Sequence, residues 1–487
     1  MKVSRQGLGR RHFLRGAATT VGALAAMPAM QGLSLVGAHG RVSAAPKGFG
    51  GYGPLQPTPD LRDGIVRMAL PEGFQYRSFS VTGTSMSDGN KVPLAPDGMG
   101  LFNAPDGRFR LVRNHEDRNS AGNGTTALLA GVSYDMKGGG GTTTMVVNPF
   151  TRELERDFVS LSGTIVNCAG GVTPWGSWIT CEETNAGPSP LTWQKQHGYC
   201  FEVPASAEAQ VPALPIPDMG RFAHEAVAID PATGIVYETG DNSTTSGFYR
   251  FIPHTPGVLL NGGRLEMLRV VGVNNYDTRS GQALGVELKA AWVPIADPNP
   301  AGTSSTAVYN QGRDLGGARF GRLEGCWYGN GAIYFCSTSG GNAGRGQVWE
   351  FRPEGDGGVL KLIYESPGSS VLDSPDNLTV SPQGALLLCE DGGGEQYLRG
   401  VTLDGGIFDF ALNVMSDAEW AGAVFAEADP SWNAHGIRGS HPPLGNRWER
   451  VTLFVNIMGP TSGVNPPSAG NEGMTFAIWG PWKEGAL

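Results

Sequence analysis

Residues 224–242 have the sequence His-Glu-Ala-Val-Ala-Ile-Asp-Pro-Ala-Thr-Gly-Ile-Val-Tyr-Glu-Thr-Gly-Asp-Asn. Two short apolar runs flank the segment Asp-Pro-Ala-Thr-Gly, which is typical of two antiparallel strands joined by a tight turn. An acidic residue, Glu225, opens the first run, and another, Asp241, follows the second. This unit is the pattern on which the rest of the chain is organised.

Five further stretches repeat the unit, and they begin at Asp97, Asn167, Leu323, Asp376 and Glu419. Several units continue into a third apolar run, as at residues 198–203, 247–252 and 346–351. Consecutive antiparallel strands repeated six times predict an all-β protein, a six-bladed β-propeller in which the first strand of each blade lines a central channel. A pair of β-sandwiches is the alternative, and six copies of one unit argue against it.

The composition agrees with an all-β fold over residues 46–487, which we predict to be a single six-bladed propeller domain. The chain has 74 Gly and 34 Pro among 487 residues, and long helical patterns are scarce. The glycines have no collagen period and alternate with large apolar residues, so disorder is not expected. Residues 474–479 or residues 74–80 would complete the last blade and cover its open edge.

The N-terminus has the pattern of an export signal. Arg10 and Arg11 precede Phe13-Leu14, an apolar run covers residues 16–29, and Val-Ser-Ala-Ala follows at 42–45. This pattern predicts a twin-arginine signal peptide over residues 1–45, export by the Tat translocase, and a periplasmic or secreted mature protein. A membrane anchor is the alternative, but the run is too short and too rich in Gly and Ala to span about 30 Å of hydrocarbon.

The charge of the mature chain limits its partners. The first 45 residues contain six basic and no acidic residues, so their removal takes the formal net charge from −9 to −15. Nucleic acids and anionic membranes are poor partners for so acidic a surface. Twin-arginine export carries folded proteins, so a metal can be loaded before export, and an acidic protein that acts on an anion needs cations at its site.

Aligning the six units brings acidic residues into register. The first strands open with Asp97, Cys168, Glu225, Glu324, Asp376-Asn377 and Glu419, and the second strands end near Glu116, Glu182-Glu183, Asp241, Glu390-Asp391 and Asn456. In a propeller these positions converge on one mouth of the channel. Like charges about 4 Å apart repel by roughly 1 kcal/mol even in water, so the cluster requires protons or cations.

The donor types predict which cations these are. Clustered carboxylates suit Ca²⁺, and a thiolate among them suits a softer ion such as iron or zinc, so the sequence predicts a mixed-metal site. Any one of these acids could instead hydrogen-bond a turn, and Cys168 alone could be a buried filler. Their coincidence in register favours metals. The other five cysteines are expected to be mostly unpaired and buried within strands.

Several motifs resemble those of the PhoX-type alkaline phosphatases. The strongest is the block from Asn167 to Glu183, Asn-Cys-Ala-Gly-Gly-Val-Thr-Pro-Trp-Gly-Ser-Trp-Ile-Thr-Cys-Glu-Glu. Others are found at residues 114–116, 220–225, 374–377, 389–391 and 477–482. The resemblance covers nearly the whole mature chain. It implies a six-bladed propeller that binds two ferric ions bridged through oxygen, together with three calcium ions, and that hydrolyses phosphate monoesters.

The resemblance also implies roles for particular residues. Cys168 would be the iron-binding thiolate, and Glu225 and Glu390 would be carboxylate ligands near the irons. Four further residues would be ligands shared among iron and calcium: Glu116, Glu183, Glu324 and Asp391. The chain is shorter than typical members of the family, which leaves the identity of the small phosphorylated organic substrate open.

No serine or threonine stands out as a covalent nucleophile, so the catalytic side chains remain unassigned and a metal-bound oxygen is the expected attacking group. Arg221, Arg322 and Arg399 are candidates to hold the phosphate, and a monomer is expected. Two other functions are alternatives. A calcium-dependent, lactonase-like hydrolase would not need the thiolate of Cys168, and a non-catalytic extracytoplasmic metal-binding propeller would not need the intact acidic ring.

Overall fold

The computed structural model of the chain describes residues 50–431 and 446–487. The predicted signal peptide over residues 1–45 therefore lies outside the described residues. In the described ranges the regular structure is almost all β-strand, which confirms the all-β prediction. One short α-helix, α1 (Ala307–Asp314), interrupts the strands.

The first thirteen strands are β1 (Leu55–Pro59), β2 (Val66–Pro71), β3 (Gln75–Phe79), β4 (Pro96–Asn103), β5 (Phe109–His115), β6 (Gly140–Val147), β7 (Leu154–Thr164), β8 (Asn167–Val172), β9 (Ser177–Glu182), β10 (Cys200–Pro204), β11 (His224–Ile229), β12 (Val236–Gly240) and β13 (Phe248–Pro253). The remaining thirteen strands are β14 (Gly263–Val270), β15 (Glu287–Pro294), β16 (Leu323–Gly329), β17 (Ala332–Ser337), β18 (Gln347–Glu354), β19 (Gly357–Glu365), β20 (Pro375–Val380), β21 (Leu386–Glu390), β22 (Tyr397–Val401), β23 (Ile407–Asn413), β24 (Trp420–Glu427), β25 (Val451–Ile457) and β26 (Met474–Trp479).

These strands form antiparallel sheets in the order of the chain. The sheets run β4-β5-β6-β7, β8-β9-β10, β24-β25-β26-β3, and β20-β21-β22-β23 extended by β2 and β1. The units β11–β15 and β16–β19 join into one nine-stranded sheet because β15 pairs with β19. Each of the six sequence repeats therefore begins a run of antiparallel strands.

The turn in the opening motif shows why these segments form hairpins. Asp230 accepts hydrogen bonds from the backbone N–H of Ala232 at 2.9 Å and from the Thr233 hydroxyl at 2.7 Å. Gly234 then adopts a φ of +73°, a conformation that costs a glycine little. This local bonding reverses the chain between β11 and β12, whose apolar faces are buried.

The first strands of the six repeats form a closed ring. β4 contacts β8, β8 contacts β11, and the contacts continue through β16, β20 and β24 back to β4. The strands pack closely because small residues follow the acidic ones. A Cβ atom on Gly98 would lie 2.5 Å from Ala169 Cα, and one on Gly422 would lie 2.4 Å from the carbonyl oxygen of Asp97.

The two ends of the described chain meet in one sheet. β3 pairs with β26, with Tyr76 opposite Ile478 and Phe79 opposite Thr475. The sequence predicts that one of these two regions completes the last blade. In the structure both regions contribute a strand to this sheet. Around them the side chains of Phe74, Tyr76, Trp420, Phe476 and Trp482 are buried in a common core.

No helix among the described residues has the length and apolar character needed to cross a membrane. All six cysteines lie in the described ranges, where each is buried and unpaired.

Candidate metal centre

Nine side chains gather where the six inner strands begin. They form four overlapping groups, and within each group one ligand atom per residue lies within 4.8 Å of the others. The groups are Asp97-Glu116-Cys168, Cys168-Glu183-Glu225, Glu225-Glu324-Asp376 and Asp376-Asp391-Glu419. Because neighbouring groups share Cys168, Glu225 or Asp376, the nine residues make one continuous cluster, called the ring site below.

Strand irregularities place the ring residues. Asp97, Cys168, Glu225, Glu324 and Asp376 each lie in a short segment where the pairing of their strand with the next one shifts register. Such bulges bend a strand and re-aim the side chain at the bulge. Five of the six inner strands therefore carry the same distortion at the residue that the sequence alignment placed in register.

The buried carboxyl groups and the thiol of the ring site need positive charge nearby in order to be ionised. Burial, and then the charge of Glu324, raises the pKa of Glu225 well above its usual range. Burial, and then Asp391, does the same for Glu419. Burial, followed by Asp97, raises the pKa of the Cys168 thiol. These groups can all be ionised together only if cations neutralise them.

Buried oxygen atoms give independent support for cations. Glu225 Oε2 and Glu419 Oε2 are buried and have no hydrogen-bond partner among the described residues. A buried carboxylate oxygen without a partner is costly, and a metal ion would satisfy it. Carboxylates around one thiol suit a mixture of hard and softer cations, so the residues present fit metal ions of both kinds.

Two arginines lie beside the ring site. Arg118 contacts Glu116 and Glu183. Arg322 Nη2 lies 2.6 Å from Glu324 Oε1 and 2.9 Å from Asp241 Oδ2. Both side chains are partly exposed, so they are placed to meet an anion that arrives from solvent.

Six of the seven ligands predicted from the sequence lie in the ring site: Glu116, Cys168, Glu183, Glu225, Glu324 and Asp391. Glu390 lies outside it. Its carboxylate accepts hydrogen bonds from Arg399 Nε at 2.9 Å and from the backbone N–H groups of Asp373 and Tyr397. Burial, opposed by Arg399, raises the pKa of Glu390 to about 7. These contacts favour a structural role for Glu390, and its predicted role as a ligand is open to test by substitution.

Asp97, Asp376 and Glu419 were aligned in register but were not among the predicted ligands, and the structure brings all three into the ring site. The position of Arg118 carried no recognisable signal, because it depends on a loop that follows β5. Of the arginines considered for phosphate, Arg221 is buried and donates to the carbonyl oxygens of Pro300 and Gly302. Arg399 pairs with Glu390 and Asp409, which leaves Arg322 beside the ring site.

An all-β frame that concentrates carboxylates and one thiol at its centre defines a metalloprotein. The sequence model of the family described as alkaline phosphatase PhoX matches residues 50–457. The chain belongs to this family and is a metal-dependent phosphatase. The match favours this function over the lactonase-like and the non-catalytic alternatives.

The fold is similar to that of a solved member of the family. The structure of Pseudomonas fluorescens PhoX in complex with vanadate, a transition state analogue, aligns with a TM-score of 0.61 and 16% sequence identity. The alignment covers 86% of this chain and 97% of that chain. At this identity the likeness shows a shared fold.

More distant structures align at lower scores. A luciferin-regenerating enzyme has a TM-score of 0.42 and 10% identity over 80% of this chain and 92% of its own. A gluconolactonase from Xanthomonas campestris has a TM-score of 0.33 and 11% identity over 83% of this chain and 99% of its own. No curated protein sequence matches the chain.

Proposed function

We propose that this phosphatase hydrolyses phosphate monoesters at the ring site. The observation that carries the proposal is the continuity of nine metal-type ligands around the six inner strands. Among the described residues, Glu225 Oε2 and Glu419 Oε2 are buried there without a hydrogen-bond partner. Bound metal ions would neutralise the phosphate oxygens and lower the pKa of water so that it can attack near neutral pH.

The proposed ligands are the nine ring residues, and the cations are iron and calcium. Cys168 Sγ is the softest donor in the cluster, so iron belongs in the groups that contain it. The groups that contain only carboxylates suit calcium. Two ferric ions and about three calcium ions, the number implied by the family resemblance, are part of this proposal.

The partly exposed arginines would bind the substrate. A guanidinium offers a planar pair of donors that matches phosphate oxygens. Arg118 and Arg322 approach the ring site from different sheets, so they would hold the phosphate group over the cations. Pseudomonas fluorescens PhoX binds vanadate, which is consistent with a phosphate-shaped site in this fold. The substrate is a small phosphorylated organic molecule.

We further infer a six-bladed propeller, a monomer, and export to the periplasm or medium by the twin-arginine route. The closed ring of β4, β8, β11, β16, β20 and β24 supports the blade number. The paired arginines Arg10 and Arg11 support the route.

The test is hydrolysis of a chromogenic phosphate monoester by protein purified without chelators. We expect activity that EGTA removes and that added calcium restores, with iron and calcium found by elemental analysis. A carboxylic ester and a lactone serve as control substrates. Activity that persists after all metal has been removed would contradict the proposal.

A further inference from the structure

A second group of metal-type donors lies outside the ring site, between the β8–β10 sheet and the sheet that begins with β11. Cys200 is the first residue of β10, His224 the first of β11, and Glu238 lies within β12. One ligand atom from each lies within 4.8 Å of the other two, and all three side chains are completely buried. The phosphatase reaction gives these residues no role.

The donor atoms of this group lack ordinary partners. His224 Nδ1 and both carboxylate oxygens of Glu238 have no hydrogen-bond partner among the described residues. His224 Nδ1 and Glu238 Oε2 approach to 3.3 Å without hydrogen-bond geometry. An ionised carboxylate buried in this way is destabilising unless a positive charge is placed beside it.

The orientation of the His224 imidazole suits metal binding. His224 Nε2 lies 3.0 Å from the carbonyl oxygen of Gly220, so this nitrogen carries the proton and donates. Nδ1 lies on the side of the ring that faces Cys200 and Glu238, so it is the nitrogen available to a metal ion. Phe222 stacks on the face of the His224 ring, with the two ring centroids 3.7 Å apart. An outer hydrogen bond that orients the imidazole is typical of metal-binding histidines.

A second thiol lies next to Cys200. Cys181 is opposite Cys200 in the β9–β10 ladder, and the two sulfur atoms are 3.7 Å apart, which is too long for an S–S bond. Only Cys200 of the two belongs to the group whose ligand atoms lie within 4.8 Å of one another.

We propose that Cys200, His224 and Glu238 form a second, structural site for a zinc-class divalent cation. Sulfur, nitrogen and oxygen donors in a fully buried group suit Zn²⁺. Binding requires the Cys200 thiol to lose its proton to solvent, and the ion then neutralises this thiolate and the carboxylate of Glu238. The ion would link β10 to β11 and β12, which belong to two neighbouring sheets.

The test begins with zinc content. Protein is freed of loosely bound metal, incubated with Zn²⁺ and desalted. We expect Cys200→Ala and Glu238→Gln to bind one zinc ion fewer per chain than the unchanged protein, with a lower melting temperature in zinc. Cys336→Ala, which changes another buried strand cysteine, should bind as much zinc as the unchanged protein. The Glu238→Gln variant keeps the side-chain shape, so it remains informative if Cys200→Ala does not fold.

Cobalt separates this site from the ring site. With Co²⁺, protein carrying Cys168→Ala should still show thiolate-to-cobalt charge-transfer absorption, and adding Cys200→Ala should abolish it. Equal zinc content in all variants would overturn the proposal. So would an intramolecular bond between Cys181 and Cys200, detected as two missing thiols in the unfolded, unreduced protein.

Discussion

Cys168 Sγ lies 2.9 Å from Glu225 Oε1, although the two residues are 57 positions apart in the sequence. Each occupies a bulge in its inner strand, and β8 and β11 are neighbours in the closed ring. A soft sulfur and a hard oxygen are thus within reach of the same ion. Substituting Cys168 or Glu225 should therefore change which metal binds more than substituting any other residue of the ring site.

Replacing the Cys168 thiol should remove iron and activity without unfolding the protein. We expect Cys168→Ala to lower turnover of a chromogenic phosphate ester by about 100-fold or more, because losing a direct ligand should cost at least as much as losing an outer partner. Iron content should fall with it, while the circular dichroism spectrum stays that of the unchanged protein. Cys336→Ala is the matched control, and full activity in Cys168→Ala would contradict a role for the thiolate.

The adjacent acids Glu390 and Asp391 should respond differently to neutralisation. Glu390→Gln removes the anionic partner of Arg399 and should lower the free energy of unfolding by about 2 kcal/mol, with metal content retained. Asp391→Asn should instead lower metal content and activity. Elemental analysis together with urea unfolding separates the two effects. Loss of metal in Glu390→Gln alone would return Glu390 to the ligand set.

Arg322 should contribute to substrate binding. Arg322→Gln removes a charged donor beside Glu324, and we expect the KM for a phosphate monoester to rise about 10-fold, since a hydrogen bond to a charged group contributes about 1.5 kcal/mol or more. Inhibition by inorganic phosphate should weaken by a similar factor. The control is Arg264→Gln, which changes an exposed arginine elsewhere. Unchanged KM and unchanged phosphate inhibition would assign Arg322 to structure alone.

His197 should make stability depend on pH. Burial opposes its charged form, but Glu182 and Asp135 hold the pKa of His197 at about 9, above the usual value of 6.5. Because the folded pKa is the higher one, this stabilisation is complete below pH 6.5 and is lost as the pH rises through about 9.

The difference corresponds to roughly 3 kcal/mol between those two limits. Thermal unfolding measured across this range should show the decline, and His197→Gln should flatten it. His254→Gln, at a more exposed histidine, is the control and should leave the slope unchanged. A slope that persists in His197→Gln would place its origin in other groups.

The inner strands could be predicted from the sequence because each repeats the same local pattern. Asp97, Glu225 and Glu324 each stand one or two residues into an apolar run that ends at a turn, so aligning the runs aligned the acids. Because that pattern is local, it can be recognised in the sequence without knowledge of the tertiary structure.

The remaining features depend on contacts that no local pattern encodes. Glu390 and Asp391 are adjacent in the sequence, but their side chains point to different surroundings because successive residues of a strand alternate in direction. A motif that contains both residues does not show which of them faces the metal ions. Cys200, His224 and Glu238 come from three different strands, and their meeting depends on how one sheet lies against the next. The pairing of β15 with β19 likewise joins two repeats that the sequence treats as separate.

The pairing of β3 with β26 makes one sheet depend on two segments that are translated far apart in time. β3 spans Gln75–Phe79 and β26 spans Met474–Trp479, and β26 is the only hydrogen-bonded neighbour of β3 in their sheet. During synthesis β3 therefore waits for its partner while almost all the other described strands are made. Truncation before residue 474 would remove two strands from this sheet rather than one, and it would leave β25 as an open edge.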